Sequence, residues 1–334
     1  MRIAIVTNSS KTRLAKYDPN SRLQAEVTCK AVSSALAELD YEIQVIEAGP
    51  TLVTDLENAW PDAVFNIATG YHTKKQQANI AAMLELTGIP FTGSGSRGHM
   101  IGLLKHIAKM NFEAHGVLTP RFQVINDVHE LTGNSVTLNL PFPVIVKPAA
   151  EGSSVGISSE SVTDDPVKAK ELTALLLNDL EPPVLIEEFI PGREFTVALV
   201  GYPEPAVLPV EEIVFKEESM YTYGVKIRDN ITAVCPAEIS EKLNQDIQNA
   251  ALRAFQAIGC RDIARVDIRV SEDGRPFVLE INTLPGLMPK YSEVPRIAEK
   301  AEIGYPELIE SILKGALKRR ATDPAASVQE AAGL

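Results

Sequence analysis

Near its C-terminal end the chain carries four polar side chains at even spacing: Arg265 and Asp267 in the run 263–270, then Glu280 and Asn282 in the run 276–282. Asp273-Gly274 between the runs signals a two-residue hairpin, because both central positions of a type I′ turn need positive φ. Centred there, the register sets Asp267 opposite Glu280 and Arg265 opposite Asn282. Side chains alternate across a strand, so the four share one face. Val266, Ile268, Val270, Phe277, Leu279 and Ile281 take the other face and form a core. Opposed residues lie about 5 Å apart, which crowds two carboxylates together. A divalent cation makes such a pairing favourable, and Asp, Glu and Asn oxygens are hard ligands suited to Mg²⁺. A merely wet strand face is the plain alternative, since polar faces are common in antiparallel sheets.

Composition narrows the classes of partner. With 334 residues, 45% of them hydrophobic, the chain can bury two or three cores. A net charge of -12 argues against nucleic acid, whose binding rests on cation–phosphate contacts. Cys29, Cys235 and Cys260 are odd in number and far apart, which suggests buried thiols in a reducing cytoplasm. The N-terminus runs directly into a strand with no signal-peptide pattern, and no apolar stretch is long enough to span a bilayer.

The elements that must hold the hairpin follow from periodicity. Strands over 2–7, 42–46 and 63–67 alternate with helices over 21–39 and 74–86, a parallel doubly wound pattern. Ligands in such sheets bind beyond the carboxyl ends of the strands, here at 8–20 and 68–73. A second unit starts near Phe91, with one helix over 96–115 carrying Lys105. Strands at 143–147, 184–190, 194–200 and 207–215, a helix over 238–258 and the hairpin read as an antiparallel α+β region. The expected domains are 1–92, 93–200 and 201–320, with a frayed tail at 321–334.

Two further stretches suit a nucleotide. Glycines and hydroxyls in Glu151-Gly152-Ser153-Ser154-Val155-Gly156 let a backbone approach phosphate oxygens. No Gly-Lys-Ser/Thr follows, so this is a flap and not a P-loop, with lysines supplied from elsewhere. Lys147, which caps an apolar run, and Lys105 are the candidates. In Glu187-Glu188-Phe189-Ile190 and at Glu194, acids interrupt apolar strands, where a strand edge can read adenine and an acid can hold ribose hydroxyls.

Together these stretches resemble the ATP-grasp superfamily, and within it the D-alanine–D-alanine ligases. The matching pieces are Phe65-Asn66-Ile67, Leu86 to Ser94, Val146-Lys147-Pro148, Glu151 to Gly156, Glu194-Phe195-Thr196-Val197, Cys235-Pro236-Ala237, Arg265-Val266-Asp267 and Glu280 to Gly286. They follow family order over nearly the whole chain. The resemblance implies a three-domain fold: an N-terminal doubly wound parallel sheet, a small central domain and a C-terminal antiparallel α+β domain. It implies ATP and two Mg²⁺ ions (Mn²⁺ being able to substitute), held at Asp267, Glu280 and Asn282. Lys105 and Lys147 match phosphate lysines, Ser153 and Ser154 the flap, and Glu187 and Glu194 the adenine and ribose positions. Glu188 and Phe189 flank Ile190, the backbone reader. Arg265 and the Gly286 N–H match oxyanion stabilisers, and Lys226 a lid lysine in a loop over 216–234. The implied chemistry is attack of a carboxylate on the γ-phosphate, then displacement of phosphate by an amine.

The departures fall in the substrate half. Where the family's first loop holds an ammonium with a glutamate, this chain has Lys11, Arg13 and Lys16 and no acid before Asp18. Thr69-Gly70-Tyr71-His72 replaces a His-Gly run, and Ile227 stands where a tyrosine is expected, with Tyr221 and Tyr223 nearby. Tyr291-Ser292 stands where a serine-hydrophobic pair meets the second substrate. The expectation is an amino-acid ligase of specialised metabolism, whose first substrate is a small carboxylate or enolisable acceptor other than D-alanine. Ligases of mycosporine-type cyclohexenones are one candidate home, and a homodimer is implied by the resemblance. A divergent D-alanine–D-alanine ligase is the alternative. A non-catalytic ATP-binding regulator is a third, disfavoured by the joint presence of Arg265, Asp267, Glu280 and Asn282.

Overall fold

The structure is a computed structural model that describes residues 1–8, 21–71, 76–131, 138–150, 157–180, 182–215 and 231–322. Its first sheet is parallel, in the order β2-β1-β3, from β1 (Arg2–Thr7), β2 (Glu42–Glu47) and β3 (Ala63–Asn66). Alternation along β1 sends Ile3 and Ile5 to one core and Ala4 and Val6 to the other, which fixes a helix layer on each face. Helix α1 (Ser21–Ala37) packs on the first face, while α2 (Leu52–Ala59) and α3 (Gln77–Thr87) cover the second.

The helix expected as one piece over 96–115 is two: α4 (Ser96–Leu103) and α5 (Lys105–Ala114). Leu104 between them is extended, with φ -88 and ψ 95. The break lets the Lys105 backbone N–H donate to Ala149 O at 2.8 Å, outside the helix. Gly98 and Gly102 weaken the helix before the break, and Gly102 is needed because a Cβ there would meet Thr283 Cγ2 at 2.6 Å.

The second sheet is antiparallel, in the order β4-β7-β5-β6, from β4 (Phe122–Ile125), β5 (Val144–Pro148), β6 (Val162–Thr163) and β7 (Val184–Glu188), backed by α6 (Pro166–Asp179). Strand β8 (Gly192–Gly201), expected mostly within the central unit ending at 200, hydrogen-bonds into the third sheet. That sheet runs β11-β10-β8-β12-β13, with β9 (Ala206–Val207) beside β8, and contains β10 (Glu211–Phe215), β11 (Ile231–Val234), β12 (Asp262–Ser271) and β13 (Pro276–Asn282). Residues 231–234, expected within the lid, are therefore a strand paired with β10. Likewise the strand expected over 207–215 is interrupted between β9 and β10.

Helix α7 (Glu241–Ile258) lies on the third sheet through Ile247, Ala251, Ala254, Phe255 and Ile258, the stripe of an amphipathic helix. Ser240 caps its start and Gly259, at φ 72, its end. Helix α8 (Glu293–Lys300) follows β13, and α9 (Tyr305–Thr322) returns to pack against α1. Near its end Arg319 Nη2 donates to Phe91 O at 2.7 Å and to Asp262 Oδ2 at 2.8 Å, joining α9, β12 and the segment after α3.

Candidate active site

The β12–β13 register places Arg265 opposite Asn282 and Asp267 opposite Glu280, as the sequence leads one to expect. The route to that register is different. Ser271 N–H donates to Arg275 O at 3.0 Å, and Gly274 sits at φ 82, so the loop is a three-residue turn over 272–274. This shifts the pairing by one, giving Ile268 opposite Val278. A bulge at Leu279 then shifts it back. Val278 consequently joins the core with Val266, Ile268 and Val270, while Leu279, expected in the core, lines the cavity instead. Phe277, also expected in that core, pairs with Arg269.

The cavity, about 380 Å³, is bounded by two antiparallel sheets and by the carboxyl ends of the parallel strands. From the third sheet it receives Glu194, Thr196, Arg265, Asp267, Arg269, Leu279, Glu280 and Asn282. The second sheet and its exit contribute Ile145, Lys147, Glu187, Glu188, Phe189 and Ile190. Lys105 enters at the head of α5, and Gly286, Tyr291, Ser292 and Glu293 come from the segment after β13. A volume of this size suits a small-molecule site.

Ion pairs organise the floor. Asp267 accepts two bonds from Arg265 at 3.0 and 2.8 Å, one from Thr196 Oγ1 at 2.7 Å and one from Asn282 Nδ2 at 3.0 Å. Arg265 Nη1 donates to Glu293 Oε2 at 2.9 Å. Burial disfavours the guanidinium's charge, but Asp267 and Glu293 outweigh it and raise its pKa. Glu280 pairs with the Lys105 ammonium at 2.9 Å. Burial would lift this carboxyl, yet Lys105, with Lys147 and Arg265 beyond it, holds it at about 2. The Asp267 and Glu280 side chains thus stand side by side against flanking cations. Their oxygens and that of Asn282 form a hard donor set that fits Mg²⁺.

Buried on the opposite wall, Glu187 is held by Lys147 at 2.9 Å and by Lys109 at 2.8 Å. Lys109 is fully buried and also donates to Thr119 Oγ1 at 2.8 Å. Burial pulls its ammonium down to about 8, against the attraction of Glu187. Glu194 faces Arg269 across the strand pair at 3.6 Å, and Arg269 lies 4.6 Å from the Phe189 ring centroid. Burial pushes the Glu194 carboxyl up to about 7; Arg269 works against this, and Asp267 and Glu280 add to it.

At the far end the parallel sheet supplies Thr7, Asn8, Ile67 and Thr69, and α1 supplies Gln24, Ala25 and Thr28. Asn8 Oδ1 accepts from the Thr69 and Gly70 N–H groups at 2.7 and 3.3 Å, which clips the two loops together. No charged side chain stands among these described residues.

Of the residues singled out in the sequence, Lys105, Lys147, Glu187, Glu188, Phe189, Ile190, Glu194, Arg265, Asp267, Glu280, Asn282, Gly286, Tyr291 and Ser292 all line the one cavity. Tyr71 does not; its ring lies against Gly49. Lys11, Arg13, His72, Glu151, Gly152, Ser153, Ser154, Tyr221, Tyr223 and Lys226 lie outside the described residues. Asn8 and Thr69 belong to the loops 8–20 and 68–73 expected to meet a ligand, whereas sequence reasoning missed Gln24, Thr28, Lys109, Arg269, Leu279 and Glu293. A signal was available for Lys109, four residues after Lys105 and so on one helix face. None was available for Leu279, which depends on the bulge.

Residues 112–314 match the family model described as "D-ala D-ala ligase C-terminus". The chain belongs to the D-alanine–D-alanine ligase family. Two relatives span almost all of it. An uncharacterized protein y4sG of Sinorhizobium fredii is 34% identical, covering 96% of this chain and 98% of that protein. A D-alanine–D-alanine ligase of Gloeobacter violaceus is 34% identical, covering 92% of this chain and 99% of that one. The crystal structure of D-alanine–D-alanine ligase from Bacillus anthracis complexed with ATP superposes with a TM-score of 0.73 at 23% identity, over 96% of this chain and 99% of that one. Fold and family therefore agree with the motif reading, and the chain is a ligase of the ATP-grasp fold, forming carbon–nitrogen bonds. Among the described residues, no helix is long and apolar enough to cross a membrane.

Proposed function

We propose that this ligase uses ATP and Mg²⁺ to phosphorylate a first substrate other than D-alanine, at a carboxylate or an enol oxygen, and condenses it with the amine of an amino acid. The observation that carries the reading is one cavity with two unlike ends. One end gathers Lys105, Lys147, Asp267, Glu280 and Asn282; the other offers Asn8, Gln24, Thr28 and Thr69. Bound Mg²⁺ would supply charge neutralisation during phosphoryl transfer, held by Asp267, Glu280 and Asn282. Lys105 and Lys147 exchange their carboxylate partners for phosphate oxygens. Glu194 and Ile190 hold the nucleoside, with Leu279 as apolar floor. Arg265 and the Gly286 N–H hold the developing oxyanion.

The first substrate follows from the far end. An amino acid bound there as electrophile needs a carboxylate for its ammonium, since an unpaired buried charge costs several kcal/mol. Amides and hydroxyls instead suit a neutral, hydroxylated acid or an enolisable acceptor, mycosporine-type cyclohexenones among them. The relatives that are D-alanine–D-alanine ligases favour a second reading, D-alanine–D-alanine ligation. Incubation with candidate acids and amino acids, scored by ADP release and product mass, tests both. ADP release that needs an acid and an amine, with a condensed product, is expected; ATP binding without turnover on any pair would refute a ligase. A homodimer working in the cytoplasm belongs to the same proposal, and sedimentation of the purified chain tests the dimer.

A further inference from the structure

An amine enters this reaction as an ammonium, and nitrogen cannot attack until a proton leaves. The lining carboxylates are largely committed: Asp267 and Glu280 to the oxygen cluster, Glu187 to two lysines, and Glu194 to Arg269. Glu188 sits on the β7 side, where its Oε2 takes the Arg121 N–H at 3.4 Å. Glu293 is paired as well, but its partner is Arg265. It heads α8, lines the cavity beside Tyr291 and Ser292, and places Oε2 2.9 Å from Arg265 Nη1. Arg265 is the group that the ligase reading assigns to the oxyanion, so Glu293 stands next to the carbon under attack. A Cβ on Gly286 would meet Ser292 Oγ at 2.6 Å, so the start of α8 approaches the segment carrying the second oxyanion donor.

We infer that Glu293 is the base for the amine: it passes from Arg265 to the incoming ammonium and accepts a proton from it before the carbon–nitrogen bond forms. The inference rests on the ligase reading above. The exchange does two things at once, because releasing Glu293 frees Arg265 Nη1 for the oxyanion. In the balanced step one ammonium proton goes to Glu293, and the lone pair so freed attacks the acyl phosphate carbonyl. On collapse the carbon–oxygen bond to phosphate breaks, phosphate leaves with the electron pair, and the second nitrogen proton ends on phosphate. Transfer of the first proton to a carboxylate is uphill, and attack by the freed lone pair draws it forward; bond formation then acidifies the nitrogen, so the leaving phosphate can take its second proton. Glu293 stands among several charged groups. Arg265 and, behind it, Asp267 come from β12; Glu280, paired with Lys105, comes from β13. Arg296 on the same helix is bound to Glu211 through two bonds of 2.9 and 2.6 Å.

The test compares wild type with Glu293→Gln, which keeps size and hydrogen bonding. Hydroxylamine is neutral near pH 7 and needs no base, so it traps the acyl phosphate as a hydroxamate whether or not Glu293 acts. With the acid that gives most ADP in the panel above, Glu293→Gln is expected to lower amine-dependent product formation about a hundredfold or more at pH 7. Hydroxamate formation should stay within about threefold, and the deficit should shrink as pH approaches the amine's own pKa. Equal losses in both assays would assign Glu293 a structural role through Arg265 and overturn the inference, as would no loss in either. If wild type forms no hydroxamate with any acid, the ligase reading fails, and a binding measurement still judges Glu293. Calorimetric titration of glycine into protein loaded with Mg²⁺ and a non-hydrolysable ATP analogue should give at least tenfold weaker binding for Glu293→Gln. Equal affinity, or no glycine binding to wild type, would overturn the inference.

Discussion

Within the cavity, each ionised group takes its character from the neighbour it faces. Glu280 stays charged because Lys105 outweighs its burial, and Asp267 receives four hydrogen bonds. Glu280→Gln removes one charged oxygen from the set that fits Mg²⁺ and leaves Lys105 without its carboxylate. Loss of a single interaction of this type costs on the order of 3 kcal/mol, so turnover should fall at least about a hundredfold while the protein stays folded. ADP release within twofold of wild type at ordinary Mg²⁺ would contradict the assignment. Glu194 carries a pH signature of its own. Its folded pKa, raised to about 7 by burial, lies above that of an exposed glutamate, roughly 4.3. The nucleotide-free fold therefore binds a proton that the unfolded chain releases. Stability from this site is complete below about pH 4.3 and is lost as pH rises through 7. Glu194→Gln should abolish that decline and melt above wild type at pH 8, while weakening nucleotide binding. Identical melting curves from pH 5 to 8 would count against a buried, proton-binding Glu194.

Secondary-structure elements meet at these residues, and here the sequence was legible in part. The facing pairs of the hairpin could be read from polar spacing, but two departures that cancel produce them: a three-residue turn and the bulge at Leu279. Alternation alone cannot reveal a bulge, because the extra residue is apolar whichever way it points. The break at Leu104 was equally hidden, since its cause is a tertiary bond from Lys105 N–H to Ala149 O. The doubly wound sheet, by contrast, was written in local periodicity and in the alternation of β1. Lys109 joins three elements through one contact set, tying α5 to Glu187 on β7, which in turn binds Lys147 on β5. Removing one partner of a buried pair is costly where replacing the whole set is not. Lys109→Ala should therefore lower the unfolding free energy by about 3 kcal/mol in urea titration. The cost should shrink in a Lys109→Met, Glu187→Gln double variant; a single-variant cost below about 1 kcal/mol would show that the pair is solvated.

At the scale of the molecule, two antiparallel sheets and the carboxyl ends of the parallel strands bound one cavity, and the proposed function assigns phosphoryl transfer to the former and the first substrate to the latter. The antiparallel sheets line the cavity with charged residues, whereas Thr7, Asn8, Ile67, Thr69, Gln24, Ala25 and Thr28 line it without charge. Family membership consequently says more about the phosphoryl-transfer half than about what is ligated. The most direct measurement pairs two acids that differ only at the α-substituent. D-Lactate and D-alanine are each offered as sole electrophile with MgATP and glycine as amine, and ADP release is followed with product mass. The account predicts that the hydroxy acid is used with a kcat/KM at least tenfold above that of D-alanine, and that little D-alanyl product forms. Efficient D-alanyl-D-alanine or D-alanyl-glycine formation, with D-lactate inert, would contradict it and establish the amino acid as the first substrate.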